Sequence, residues 1–471
     1  MMIARPLVLA LAAGALVAMP AHARPPTLSW HPCAPTGTPA PAASGTPVPT
    51  ASGRAPAPEC ATLRLPVDWA DPAGETFELA VARRRALDPA ARAGTLVFGP
   101  GGPGDSGTAR VETGIGRFSP ELQRRFDIVS FDPRGVGRSH AMPCTPAYAD
   151  PVVHSQAEFD QRVRDNRALW DRCRDTYGAL FGHADTASTV RDLDALRAAL
   201  GEPRLTFHGS SYGTLLGEEY AERYPSRVRA IVLESAVDHS QDTRGFLRTQ
   251  AWALQDSFDA FARWCAQTAC DLPRHDAHAA WARLMADADR GAINLSAWDL
   301  TVTAHRYLYG PDYASLAATM RTLLDHEPAE RAAPSPPVSA VFCNDWALPF
   351  RDYRQYAGEL KRAQTRDLRY SAGVMAAGMC LGWPRPVANP QHRLDVHTRT
   401  PLLQINARHD PASGYNWALS VSRQLGRSGV LLTYAGAGHG SYNSGSGCMR
   451  AAVDAYLTGL VVPQRGAVCP A

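Results

Sequence analysis

The run Gly209-Ser210-Ser211-Tyr212-Gly213 constrains this chain more than any other segment. It reads G-x-S-x-G and lies between Arg204-Leu205-Thr206-Phe207-His208, a strand-like stretch, and a helix-like stretch from Thr214 to Tyr224. A strand that turns sharply into a helix holds one serine in a strained backbone conformation, with its hydroxyl exposed above the sheet. Glycines on either side keep neighbouring side chains out of the turn. The spacing selects Ser211, because Ser210 would need a glycine where His208 stands. An ordinary turn serine is the competing reading, and the strand before and helix after are what favour a nucleophile.

An activated serine needs a general base, and the base needs an orienting acid. In sheets built around such an elbow the order is Ser, then Asp or Glu, then His, with the last two on loops after the final strands. Asp410 follows the strand-like run Pro401-Leu402-Leu403-Gln404-Ile405 and is the only acid between Asp395 and Asp454. His439 follows Val430-Leu431-Leu432-Thr433-Tyr434, inside Gly436-Ala437-Gly438-His439-Gly440. A histidine among glycines can also be a plain turn residue; the ordered set Ser211, Asp410, His439 argues for the base. The tetrahedral intermediate needs two preorganised donors. One is expected from the backbone N–H of Tyr212 and the other from the loop Gly99-Pro100-Gly101-Gly102-Pro103-Gly104. That loop also matches the dinucleotide pattern G-x-G-x-x-G, but Pro103 lacks an N–H where a phosphate would need one.

Other chemistry is limited by composition. The net charge of +3 gives no sign of nucleic-acid or anionic-membrane binding, and Lys361 is the only lysine. A phosphate-binding GK[ST] loop is therefore impossible, since Arg362 follows it. No C-x-x-C or H-E-x-x-H occurs, and His275 and His278 read as a solvated helix face, so neither a metal nor a cofactor is expected.

Residues 1–23 combine Arg5, an apolar stretch from Pro6 to Met19 and Ala21-His22-Ala23, which predicts a secretory leader cut after Ala23 and no membrane anchor. A segment at 34–58 of Pro, Ala, Thr, Ser and Gly reads as flexible. The even number of cysteines, 10, in an exported chain implies disulfides. Neighbour pairing gives Cys33–Cys60, Cys144–Cys173, Cys265–Cys270, Cys343–Cys380 and Cys448–Cys469. Strand-like runs at 61–65, 77–82, 95–98, 127–131, 230–233, 401–405 and 430–434 join the Ser211 strand, and Thr186–Leu200 has helical spacing. From about His239 to Val396 the pattern is helical. The expected fold is a doubly wound, mostly parallel α/β sheet at 59–238 and 396–471, with an inserted helical lid at 239–395.

Gly101-Gly102-Pro103-Gly104, Asp132-Pro133-Arg134-Gly135-Val136-Gly137-Arg138-Ser139 and the serine elbow together resemble the exported prolyl iminopeptidase and tripeptidyl aminopeptidase family of α/β-hydrolases. Thr400-Pro401-Leu402-Leu403, Asp410, Gly438-His439-Gly440, Cys448 and Cys469 resemble its C-terminal segment. The chain departs from that pattern at Pro100, where many iminopeptidases have histidine, and at Pro411-Ala412-Ser413 after the acid. The resemblance implies a nucleophile at Ser211, an acid at Asp410, a base at His439 and oxyanion donors at Gly102 and Tyr212. Asp132 and Arg134 read as loop braces. The implied activity is an exported serine exopeptidase acting on peptides with free N-termini. The rivals are a carboxylic ester hydrolase with the same triad and a non-catalytic binding protein on the same fold. An exopeptidase must meet the substrate's ammonium group with a carboxylate. Glu234, at the end of the strand 230–233, and Asp345, in Val341-Phe342-Cys343-Asn344-Asp345-Trp346, are the acids the sequence offers for that task.

Overall fold

Short apolar runs buried on both faces form the centre of the sheet, and alternating runs form its antiparallel edge. The computed structural model describes residues 27–34, 56–146, 148, 150–332, 338–384 and 386–471. The expected leader at 1–23 and most of the Pro/Ala-rich stretch at 34–58 lie outside these residues. Among the described residues one sheet of ten strands contains β1 (His31–Pro32), β2 (Glu59–Pro66), β3 (Thr76–Arg84), β4 (Gly94–Gly99) and β5 (Phe126–Phe131). It continues with β6 (Leu205–Ser210), β7 (Val228–Glu234), β8 (Leu402–His409), β9 (Gly429–Ala437) and β10 (Val468–Cys469). The spatial order is β1-β2-β3-β5-β4-β6-β7-β8-β9-β10, antiparallel as far as the β3–β5 pair and parallel beyond it.

The two faces of β7 show how the period of two builds the layers. Ile231 and Leu233 face one core with Leu193, Leu196, Phe207 and Leu215. Ala230 and Val232 face the other with Leu403, Ile405, Met449 and Tyr456. Helices Thr186–Ala199 and Gly213–Arg223 cover the first face, and Gly447–Gly459 covers the second. After β4 the chain pairs β5 on one side and later places β6 on the other. The loops leaving β4 and β6 therefore diverge at a switch point, where Gly99 lies opposite Gly209, and a crevice opens there.

Among the described residues seven α-helices lie between β7 and β8: Thr243–Thr268, Ala277–Asp289, Ala297–Tyr309, Tyr313–Leu324, Ser339–Asp345, Tyr353–Ala363 and Ala372–Met379. Phe258, Phe261, Trp281, Leu308, Leu316 and Met320 give them a core of their own. Five of them start at a side-chain cap, as at Asp242, which accepts from Gly245 N, and at Ser296, which forms a reciprocal box with Asp299. The helical layer is wider than the sequence suggests. Helix Gln156–Tyr177, which precedes β6, also belongs to it. Its Phe159 packs with Tyr356 and Leu360, and Asn166 Nδ2 donates to the carbonyls of Gly378, Met379 and Leu381 at 3.1, 3.2 and 2.8 Å.

All five neighbour disulfides are present, and no cysteine is free among the described residues. No helix among the described residues is long and apolar enough to cross a membrane. The expected solvated pair of histidines is split. His275 ends a 3-10 turn with its Nδ1 on the carbonyl of Cys270 at 2.7 Å, whereas His278 lies on the next helix, half-buried, with Asp367 at 3.0 Å.

Candidate active site

Ser211 follows the last residue of β6 with a φ of 55°, a left-handed conformation that a residue bearing a Cβ rarely adopts. Three hydrogen bonds hold it there. Ser211 N donates to the Glu234 carbonyl at 2.8 Å, and the Ser211 carbonyl accepts from Thr214 N at 2.9 Å and Thr214 Oγ1 at 2.8 Å. The flanking glycines are required by close approach. A Cβ on Gly209 would strike the Gly213 carbonyl, and one on Gly213 would strike the carbonyl oxygens of Gly99 and Pro100. Ser211 is half-buried and lines a cavity of about 510 Å³ beneath the helical layer.

The loops after β8 and β9 bring Asp410 and His439 together. His439 Nδ1 lies 3.0 Å from both carboxylate oxygens of Asp410. Asp410 is fully buried and also accepts from Ala412 N at 2.9 Å and Ser413 N at 3.0 Å, so its oxygens act as acceptors only. That arrangement puts the ring proton on Nδ1 and leaves Nε2, buried and without a hydrogen-bond partner among the described residues, as the basic nitrogen. Burial alone would pull the imidazole pKa down, but the charge and hydrogen bond of Asp410 outweigh it and hold the value above the ordinary one. The lid also secures the loop: His439 N donates to the Tyr309 carbonyl at 2.8 Å, and the two rings lie 4.6 Å apart.

Gly102 and Tyr212 line the same cavity as Ser211. Gly102 has a φ of 106°, and a Cβ on its neighbour Gly101 would sit 3.1 Å from Ser211 Cβ, so the loop lies directly against the serine. Tyr212 stands at the N-cap of Gly213–Arg223, where unpaired N–H groups and the helix dipole favour negative charge. The β5 loop supports this region from behind. Asp132 accepts from Ser106 Oγ, Thr108 N and Arg138 N at 2.7, 3.0 and 2.8 Å, and fully buried Arg134 pairs with Asp192 at 2.6 Å.

The two acids nominated for the substrate's ammonium group are placed elsewhere, which corrects that expectation. Glu234 is fully buried and already paired with His208 Nε2 at 3.0 Å and Arg117 Nη2 at 3.2 Å, and it accepts from Tyr442 N at 2.8 Å. Burial pushes its carboxyl up, but His208 and Arg117 prevail and hold it down to about 2. Asp345 is fully buried behind the elbow. It accepts from Thr186 N at 2.8 Å, Thr186 Oγ1 at 2.7 Å, the Tyr212 hydroxyl at 2.5 Å and Asn389 Nδ2 at 3.0 Å. Neither lines the cavity. Glu234 does end a strand, as expected, and Asp345 ends helix Ser339–Asp345, but an element's end does not reveal which way its side chain points. The residues that do line the cavity and went unassigned are Asp105, Arg110, His305, Arg306 and Tyr309, with Phe246, Trp298 and Trp417 among its aromatic walls. His305 and Tyr309 lie at i and i+4 on helix Ala297–Tyr309, a spacing that places both on one face.

A mostly parallel sheet with a serine elbow at its switch point and an acid–histidine pair on the last loops defines an α/β hydrolase. The chain belongs to that family: the model for the alpha/beta hydrolase fold matches residues 94–442. It is a serine hydrolase. Among its relatives, the serine protease Hip1 of Mycobacterium tuberculosis is 32% identical over 459 residues, covering 87% of each chain. The tripeptidyl aminopeptidase of Streptomyces lividans is 29% identical over 85% of this chain and 81% of its own, and carboxylesterase B of Mycobacterium tuberculosis is 29% identical over 87% and 86%.

Proposed function

We propose that this protein is an exported serine exopeptidase that removes N-terminal residues or short di- or tripeptidyl fragments through an acyl-enzyme. The observation that carries the reading is the position of Ser211 at the floor of a roofed cavity, with the Asp410–His439 pair on the adjoining loops. A cavity closed over by helices admits a chain end more readily than the middle of a polypeptide. The names of two relatives, a serine protease and a tripeptidyl aminopeptidase, agree with it. The five disulfides agree with an oxidising compartment outside the cytoplasm.

In the proposed reaction His439 Nε2 takes the proton of Ser211 Oγ as that oxygen attacks the substrate carbonyl carbon. The Gly102 and Tyr212 amides receive the oxyanion, and Asp410 stabilises the imidazolium. His439 then gives the proton to the leaving amine, and water repeats the sequence to release the acyl group. Such hydrogen bonds to a nucleophile often close only when substrate binds.

The test is a matched panel of aminoacyl and tripeptidyl anilides, their N-acetylated forms and simple esters. The exopeptidase reading expects free-amine peptides to be preferred over acetylated ones by tenfold or more in kcat/KM. Equal cleavage of both would favour an ester hydrolase, the second reading, which the carboxylesterase B relative and the internal positions of Glu234 and Asp345 keep in play.

A further inference from the structure

We propose that Asp105 is the receptor for the substrate's α-ammonium group; this rests on the exopeptidase reading. Asp105 is the only carboxylate among the described residues lining the cavity that contains Ser211. It directly follows the loop Gly102-Pro103-Gly104, and its own N–H returns to the Gly101 carbonyl at 3.3 Å, so its backbone is fixed relative to the proposed oxyanion donor. A fragment bound by its ammonium at Asp105 would present its carbonyl to Ser211 within the same cavity of about 510 Å³. That geometry suits a small released fragment.

The charge state of the cavity supports the assignment. Asp105 Oδ2 accepts from Arg110 Nη2 at 2.9 Å, and the other oxygen has no partner among the described residues. The two side chains are 43% and 32% exposed, so the pair is open to exchange with an incoming cation. Of the remaining basic groups, His305 is pulled down to about 4 by burial, reinforced by His439, and is neutral at pH 7. Arg306 is exposed, with its guanidinium 5.7 Å from the Tyr307 ring. Phe246, Phe342, Trp346 and Trp417 line the same cavity and offer apolar walls to the side chains of a bound fragment. An ammonium with three donors can share Asp105 with Arg110 by taking the free oxygen.

The experiment compares wild type, Asp105→Asn, Asp105→Ser and Arg110→Gln on trialanyl anilide and its N-acetyl and N-succinyl forms. Thermal unfolding checks that each variant is folded, and Asp105→Ser stands in if Asp105→Asn is not. The expected result is a preference of wild type for the free amine, carried by KM. That preference should fall tenfold or more in the Asp105 variants and be kept or increased in Arg110→Gln. If wild type prefers the free amine and the Asp105 variants keep that preference, Asp105 is not the receptor, while the exopeptidase reading stands. If wild type does not discriminate, both fall. If the N-succinyl form is preferred, Arg110 and Arg306 read a carboxylate, and the proposal is overturned.

Discussion

Asp410→Asn isolates the part of the site that depends on charge and tautomer, because the amide has nearly the shape of the carboxylate. One oxygen of Asp410 accepts from Ala412 N and Ser413 N at 2.9 and 3.0 Å, and only an oxygen can stay there. The amide nitrogen must then occupy the other position, 3.0 Å from His439 Nδ1, where it can only donate. The retained oxygen is also 3.0 Å from Nδ1, so the amide nitrogen competes with it and shifts the imidazole toward a proton on Nε2, the atom proposed to accept one from Ser211. Loss of the correct tautomer costs on the order of 10⁴ in kcat in triads of this kind, or about 5 kcal/mol of transition-state stabilisation. The backbone hydrogen bonds survive, so the loss of folding stability should be limited to about 1–3 kcal/mol. The assay is kcat/KM on an activated ester and on a free-amine anilide, with thermal unfolding in parallel. A control lies one residue away: His409 Nδ1 is paired with Asp256 at 2.8 Å, outside the cavity lining. Asp256→Asn should change turnover by no more than about twofold. A folded Asp410→Asn enzyme within tenfold of wild type would refute the reasoning.

Ser211→Ala should remove turnover and fluorophosphonate labelling while leaving the unfolding midpoint close to wild type, and Ser210→Ala should retain both activities; the reverse pattern would move the nucleophile. Because Asp410 favours the imidazolium, His439 loses its proton above the ordinary histidine value of about 6.5, so ester hydrolysis should fall as pH drops through an apparent pKa higher than that. A pH–rate profile whose acidic limb lies below 6 would contradict this. Burial, with a smaller contribution from Asp185, pushes Asp345 up to about 7 against the four donors around it. The folded state then binds more protons than the unfolded chain between about pH 4 and 7, so Asp345 contributes stability at low pH that is lost as pH rises through 7. Asp345→Asn should flatten that part of the stability curve, and identical pH slopes for variant and wild type in urea unfolding would count against it.

The central strands were legible because their runs are short, apolar and followed by glycine turns, with 94–99, 126–131 and 205–210 within a residue or two of the sequence reading. The two-residue edge strands β1 and β10 carry no such signal. Ser211, Asp410 and His439 were nominated on local signals, an elbow, a lone acid and a histidine among glycines, and the structure sets Ser211 at a strand-to-helix turn and pairs His439 with Asp410. Helix Gln156–Tyr177 was not legible, since its largely polar sequence buries only Phe159, Asn166, Trp170 and Cys173. Its membership of the helical layer comes from Asn166 and Phe159 meeting residues some two hundred positions later. Glu234 and Asp345 were misplaced for a related reason. A carboxylate at the end of β7 looks like a ligand-facing group until Arg117 and His208, both distant in sequence, are seen to claim it. Cavity-lining residues on the lid depend on how helices pack, which local periodicity does not specify.

The lid is joined to every working part of the site, and this bears on how specificity and catalysis can be separated. Val338 N, leading into helix Ser339–Asp345, donates to the Pro103 carbonyl at 2.8 Å and so grips the loop carrying Gly102. Asp345, at the end of that helix, receives the hydroxyl of Tyr212, whose backbone N–H is the other proposed oxyanion donor. Tyr309, at the end of helix Ala297–Tyr309, holds the backbone and ring of His439. Those two helices, and Cys343–Cys380 behind one of them, therefore fix the oxyanion loop, the elbow and the base as well as the cavity walls. Sub-ångström displacement of a catalytic group is expensive in rate. Substitutions at Tyr309 or Val338 should therefore lower kcat along with substrate preference. Substitutions at Met375, which lines the cavity on helix Ala372–Met379, an element without such a contact, should act chiefly through KM. On the proposed reading, the layer that would select the substrate also holds the proposed catalytic groups in place.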